Sequence, residues 1–132
     1  MSAPRRYALL GLNLALHGLH QLLVLFIVFG WMWCETRLLH LAVLALVLLS
    51  WYGLGPLLGK GSAWGYCVLT DIHWKLRAKL GLGAREGGYI KYLADGLLGR
   101  DLDRRRAEQW AVGLFFASAA GSLGSYLVYG GC

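Results

Sequence analysis

The chain has 132 residues, of which 58% are hydrophobic and a further 19 are glycine. Together these residues make up about 72% of the chain, whereas the same classes make up about 45–50% of soluble domains. A soluble domain of this length leaves roughly a third of its surface exposed, so it could not hide this much apolar surface. The apolar and aromatic content also excludes a disordered chain. The composition therefore predicts an all-α integral membrane protein with a single domain over residues 1–132.

Three stretches of the chain are long and apolar enough to cross a bilayer core of about 30 Å, which requires about 20 helical residues. We predict membrane spans over residues 7–33, 38–58 and 107–129. The first stretch is too long and too polar for a cleavable secretory signal, so we interpret it as a retained helix.

Residues 59–106 connect the second and third spans and contain several Trp and Tyr residues, which favour the depth of lipid headgroups. The hydrophobic spacing predicts one or two amphipathic helices in this segment, lying in the membrane interface. We expect the first to start with Thr70 as its cap and to stop at Gly81. The second is predicted from Tyr89 to Leu98, and Asp103 is predicted to cap the third span.

The net charge of +6 is distributed unevenly along the chain. Of the 13 Lys and Arg residues, 12 lie before the first span or between the second and third, and only Arg37 lies in the first turn. Because cytoplasmic loops carry the excess of Lys and Arg, the N-terminus is predicted in the cytoplasm and the C-terminus outside. The basic side is expected to attract anionic lipid headgroups, and since no nucleic-acid-binding motif accompanies the charge, no nucleic acid is predicted as a partner.

Four polar side chains of the first span recur at helical spacing and therefore share one face: Asn13, His17, His20 and Gln21. Inside a membrane such groups lack water, so each needs a partner on another helix or on a ligand. We expect this face to be buried against the second and third spans, where Ser50, Tyr52 and Ser118 are expected at comparable depth. Two interpretations stay open: a binding site for a proton, metal, haem or quinone, and a hydrogen-bonded clasp between helices. His40 is a further candidate, but we expect it about 15 Å from His20, too far to share one metal or haem.

The third span repeats a small residue at every fourth position: Gly113, Ala117, Gly121 and Ser125. Such rows let helix backbones approach closely within a membrane. The partner is either another span of this chain, which we favour, or a second membrane protein or copy of the chain.

The three cysteines fall on different sides of the predicted topology. Cys67 is expected on the cytoplasmic side, where thiols stay reduced, whereas Cys34 and Cys132 are expected outside. A disulfide is therefore permitted only between Cys34 and Cys132, provided that their Cα atoms approach within about 7 Å. The alternative is two free thiols at frayed helix ends. The cysteine spacing does not indicate a metal site, and the sequence lacks the motifs of serine hydrolases, P-loops and dinucleotide-binding folds.

The segment Cys67-Val68-Leu69-Thr70, followed by Trp74 and by Leu76-Arg77, resembles a block typical of domain of unknown function 2784, a family of small bacterial membrane proteins. The family's block is Cys-Pro-Leu-Thr, an acidic residue three positions later, and Leu-Arg. Val68 and His73 stand here at the proline and acidic positions. Further residues are similar to the family pattern: His20, Phe26, Gly30, His40 and Gly88-Tyr89-Ile90. The resemblance implies an all-helical protein of the bacterial inner membrane, and it brings no established activity or cofactor with it. Together with the charge distribution, it predicts that the C-terminus lies in the periplasm.

The sequence leaves three functions open. We favour a non-enzymatic accessory or assembly subunit that packs on a membrane partner, because the chain is short and lacks catalytic motifs. The alternative is an intramembrane ligand-binding or redox protein that uses the polar face of the first span. A further alternative is a lipid-acting enzyme, with Asp71 and His73 as acid or base.

Overall fold

The structure, a computed structural model, describes residues 2–59, 66–83 and 88–130. These residues are helical, without a β-strand among them, and three helical segments are long and apolar enough to cross a membrane. The segments are Ala3–Phe29, Cys34–Leu57 and Arg104–Tyr129, so each begins and ends within four residues of its predicted bounds. The first, α1 (Ala3–Phe29), has a proline in its first turn, where the missing N–H would have no helical partner anyway.

The second span changes its winding along its length. A 3₁₀ turn, Cys34–Thr36, leads into α2 (Arg37–Leu49), which continues as a π-helical turn, Ser50–Leu54, and ends in α3 (Gly55–Leu57). π-Helical turns are rare and often lie at functional sites.

The three spans pack on one another around a small apolar core. Leu44 and Trp51 of the second span pack against Phe115 of the third, α6 (Arg104–Tyr129). The ring centroids of Trp51 and Phe115 are 4.8 Å apart. Many Leu side chains of the spans lie exposed on the outside of the bundle, as expected of helices that face lipid.

Hydrogen bonds tie together the end of the bundle at which α1 passes into the second span. His40 Nε2 donates to the Ile27 carbonyl at 2.8 Å, and Arg37 Nη1 donates to the Gly130 carbonyl at 3.2 Å. The Arg37 guanidinium also lies over the Tyr129 ring. We call this end of the bundle the turn end, and the opposite end, where α1 and α6 begin, the basic end.

The first short helix, α4 (Val68–Lys79), runs beside α1. Its Thr70 contacts His20, which lies about 25 Å along α1 from the start at 1.5 Å per residue. Its His73 contacts Asn13, closer to the start of α1. The helix therefore runs back toward the basic end along α1, whereas we predicted that it would lie in the interface plane. The physical reason is that the polar side chains of α1 have no water to bond, and the buried face of α4 supplies their partners.

The two ends of α4 differ in how well the sequence predicts them. Cys67 is the residue before the helix, and Thr70 lies in the first turn with its hydroxyl bonded to α1 instead of capping the helix. The predicted stop at Gly81 is confirmed, with a φ of 70°. The Leu82 N–H donates to the Arg77 carbonyl at 3.0 Å, which closes a Schellman motif.

The second short helix, α5, occupies Tyr89–Leu98 as predicted, and it ends at Gly99 with a φ of 63°. The Asp103 carboxylate accepts the Arg106 N–H at 3.0 Å, which confirms Asp103 as the cap of α6.

Acidic side chains order the turn between α5 and α6. Asp95 accepts the Leu102 N–H at 2.8 Å, and Lys91 Nζ bonds both Asp95 and Asp101. Hydrogen bonds, chiefly to Asp101 and secondly to Asp95, raise the pKa of Lys91, and its ammonium group therefore stays charged.

Candidate functional site

A cavity of about 150 Å³ lies between the three spans and the first turns of α4 and α5. Most residues of its walls are apolar, and among the polar side chains that reach it are His20, Ser50, Thr70 and Tyr89. An apolar cavity with a few polar groups is typical of a small-molecule site. His20 lies nine residues, or about 14 Å, before the end of α1, so the cavity lies away from both ends of this span.

Both short helices start at the wall of this cavity. Cys67 and Gly88, the residues before α4 and α5, line it, and neither helix start has a side-chain cap. The first N–H groups of a helix have no partner within the helix, so two sets of backbone donors lie close to the cavity.

His20 and Thr70 both line the cavity and form a polar contact between α1 and α4. His20 is 3% exposed, and its Nδ1 lies 3.0 Å from the Leu16 carbonyl, which only accepts, so Nδ1 carries the proton. The lone pair of Nε2 then accepts the Thr70 hydroxyl at 3.2 Å. A ligand can take over one half of this bond: its hydroxyl can donate to Nε2 in place of Thr70, or its carbonyl can accept from the Thr70 hydroxyl in place of Nε2.

His17 forms a second contact between α1 and the short helices. The Tyr89 hydroxyl lies 3.1 Å from the His17 carbonyl and 2.9 Å from its Nδ1. Because the hydroxyl has one proton, it donates to the carbonyl and accepts from the Nδ1 N–H. The Nε2 of His17 then accepts from the Gln21 amide at 3.3 Å. Gln21 is exposed, so it orients His17 from outside the bundle.

His73 forms the third contact. Its Nε2 donates to Asn13 Oδ1 at 3.1 Å, and its Nδ1 has no hydrogen-bond partner among the described residues. Burial, followed by the charges of His20, Arg77 and His17, lowers the pKa of His73 to about 4. The imidazole is therefore neutral near pH 7.

Aromatic stacking surrounds these hydrogen bonds. The rings of His20 and Tyr89 stack with centroids 4.2 Å apart, and His73 stacks on Trp74 at 5.2 Å. The Arg77 guanidinium lies 5.9 Å from the centre of the Trp74 ring. Burial raises the pKa of Tyr89 to about 12, so this phenol also stays neutral. Neither His73 nor Tyr89 therefore adds a buried charge, which would be costly.

The polar face of the first span and the block that resembles the family pattern contact each other at this site. The polar face of the first span contributes three of its four residues to contacts with α4 or α5. The block that resembles the family pattern supplies the other side. Cys67 and Thr70 line the cavity, His73 bonds to α1, and three further members are half-buried around them: Leu69, Trp74 and Arg77.

The site differs in how well it fits a metal ion, a haem and a quinone. Among the described residues, no group of three His, Cys, Asp or Glu side chains is placed to hold a metal ion. A cavity of about 150 Å³ is too small for a haem macrocycle, but this volume accepts a ring of the size of benzene. A quinone ring is therefore the member of this set that fits best.

The structure brings only some of the predicted site residues to the cavity. Ser50 lines it and donates its hydroxyl proton to the Tyr66 carbonyl at 3.1 Å. Tyr52 is 48% exposed on the outside of the bundle, and His40 is fully buried at the turn end. Ser118 is buried but does not line the cavity.

The acid–base pair considered for a lipid-acting enzyme is not assembled at the cavity. Asp71 forms an ion pair with Lys75 of the same helix at 2.8 Å. His73 is 1% exposed and does not line the cavity.

The structure describes two of the three cysteines. Cys34 is disulfide-bonded, and Cys67 is a free, half-buried thiol. Cys132 lies outside the described residues, so the Cys34–Cys132 pairing stays a prediction. The hydrogen bond between Arg37 and Gly130 brings the chain segments next to both cysteines together.

The row of small residues on α6 divides between the inside and the outside of the bundle. Gly121 packs against the Trp31 ring, where a Cβ would lie 3.2 Å from the nearest ring atom, and Ser125 is half-buried. Gly113 and Ala117 are exposed. The row therefore serves internal packing only near the turn end.

Tyr89 is the site residue that we did not predict as a candidate. It is 4% exposed and contacts both His17 and His20. The signal in the sequence was the segment Gly88-Tyr89-Ile90, which matched the family pattern but was not connected to the histidines.

Three apolar spans and a polar site between them and two short helices define this chain as a multi-pass helical membrane protein. The family model described as "Protein of Unknown function (DUF2784)" matches residues 12–126. The chain therefore belongs to this family, as the resemblance implied. No curated protein and no solved structure matches the chain.

Proposed function

We propose that the protein binds a small lipid-soluble molecule bearing a hydroxyl or carbonyl group in the cavity between its spans. The observation that carries this proposal is the position of the His20–Thr70 pair at an otherwise largely apolar cavity. Quinones suit this chemistry because the oxidised ring presents carbonyls, which accept from Thr70, and the reduced ring presents hydroxyls, which donate to His20.

The test is binding of a short-chain quinone, decylubiquinone, to the detergent-purified protein, followed by quenching of Trp fluorescence. Trp51 lines the cavity and is positioned to report occupancy. Thr70→Val removes the hydroxyl, and one hydrogen bond corresponds to about fivefold to tenfold weaker binding. Ser118→Ala is the matched control, since it removes a buried hydroxyl that does not line the cavity. Equal affinities for both variants and the unaltered protein would contradict the role of the pair.

The accessory or assembly role remains a second candidate, and the exposed small residues of α6 favour it. Gly113, Ala117, Ala120 and Gly124 form an exposed row, and nothing lies within 4 Å of a Cβ at either glycine. Purification in mild detergent tests this role. Gly124→Ile should release a membrane partner or a second copy that the unaltered protein retains. An unaltered protein that purifies alone and monomeric would argue against the role.

For the orientation, we infer a bacterial inner membrane with the N-terminus in the cytoplasm and the C-terminus in the periplasm. The excess of Lys and Arg at the basic end supports this orientation. Alkaline phosphatase fused after Cys132 should be active in a bacterial host and inactive when fused after Gly83. The reverse pattern would overturn the orientation.

A further inference from the structure

A groove of about 520 Å³ lies at the basic end, between α5 and the start of α6. Ile90 and Ala107 line both this groove and the cavity described above, so they form the wall between the two. The groove has its own polar groups, Arg100 and Arg106, and neither belongs to the His20–Thr70 site.

We propose that this groove is a binding site for one anionic phospholipid of the surrounding bilayer, with the headgroup phosphate between Arg100 and Arg106. The proposal is independent of the ligand in the cavity.

Two arginines and two carboxylates line the groove, and the two arginines are its unpaired charges among the described residues. Arg100 and Arg106 are exposed and form no ion pair with any described residue. The two carboxylates at the groove are already engaged, since Asp101 bonds Lys91 and Asp103 caps α6. Two guanidinium groups are therefore free to bind a phosphate, for which their planar arrays of donors are well suited.

The groove lies at the depth of lipid headgroups. The apolar part of α6 begins after Arg106, and Trp110 follows about 6 Å further along the helix. Trp110 lines the groove and is 72% exposed, which is typical of a Trp side chain at the membrane interface. Ala94 and Leu98 of α5 supply apolar surface for the upper part of an acyl chain.

These features favour a lipid as the occupant over a protein partner. A basic pocket between helices at the edge of the hydrocarbon is the usual form of an anionic lipid site. A phospholipid carries a charged headgroup and an apolar acyl chain in one molecule. The groove offers arginine side chains for the headgroup, and tryptophan and leucine side chains for the start of the acyl chain.

The experiment measures phospholipid retention by native mass spectrometry of the full chain released from nanodiscs of phosphatidylglycerol and phosphatidylcholine. The double variant R100Q/R106Q should bind phosphatidylglycerol about thirtyfold more weakly, since each basic residue contributes about fivefold. The matched control is R5Q/R6Q, which removes the same charge at the same end of the bundle but outside the groove. This control should retain the lipid, and phosphatidylcholine should not be retained by any of the three proteins.

Equal loss in both double variants would overturn the site, because it would show only diffuse attraction to the basic end. Unchanged retention in R100Q/R106Q would also overturn it. If that variant fails to fold, a labelling experiment on the unaltered protein tests the site instead. A photoactivatable phosphatidylglycerol should label residues 90–98 or 106–110, and labelling confined to other segments would refute the proposal.

Discussion

The lowered pKa of His73 makes the free energy of unfolding of the protein depend on pH. This pKa is about 4 in the folded protein, against 6.5 for a free imidazole. Between these values the unfolded chain binds a proton that the folded chain does not, so folding stability falls as the pH falls. The full difference corresponds to about 3 kcal/mol, and about 2 kcal/mol of it is lost by pH 5. Above about pH 7.5 the contribution is complete and constant.

The assay is thermal unfolding of the detergent-purified protein between pH 8 and pH 4.5, with the His73→Gln variant as the control. The glutamine amide preserves a donor for Asn13 at the place of the His73 Nε2 but does not titrate in this range. The unaltered protein should lose about 2 kcal/mol more than the variant between pH 7 and pH 5. Parallel pH profiles for the two proteins would refute the reasoning, and a loss of stability with rising pH would reverse its sign.

Two further predictions concern α6 and the turn end. Gly121→Leu should destabilise the protein by about 1–3 kcal/mol because the side chain meets the ring of Trp31, whereas Gly124→Leu should be tolerated because no atom of the described residues lies within 4 Å of its Cβ position. Equal melting temperatures for the two variants would contradict the packing described here. Maleimide labelling of protein isolated without reductant should modify one thiol before reduction and three after it, as a Cys34–Cys132 bond requires. Three accessible thiols before reduction would exclude the bond.

Elements that depend on local sequence were predictable. The helix over Tyr89–Leu98, the stop at Gly81 and the cap at Asp103 each follow from residues within one or two turns. The three spans were predictable for the same reason, because length and hydropathy are properties of each segment alone.

The partners of the polar side chains were not predictable from local patterns. We expected the polar face of the first span to pack against the other two spans, but the contacts from Asn13, His17 and His20 go to the short helices. The sequence separations of these pairs are 50 to 72 residues, and no periodicity connects them. Thr70 illustrates the consequence. Its position favoured a helix cap, yet its hydroxyl bonds the buried imidazole of His20 because that nitrogen has no water nearby.

Filling the cavity between the spans and the short helices is the sharpest test of its role as a ligand site. Ala111 lines the cavity on α6, whereas Ala120 of the same helix is exposed on the outside of the bundle. Ala111→Phe should therefore abolish the quenching of Trp fluorescence by decylubiquinone, while Ala120→Phe should bind this quinone as the unaltered protein does. Equal binding by both variants would contradict the claim, and so would an absence of binding to the unaltered protein.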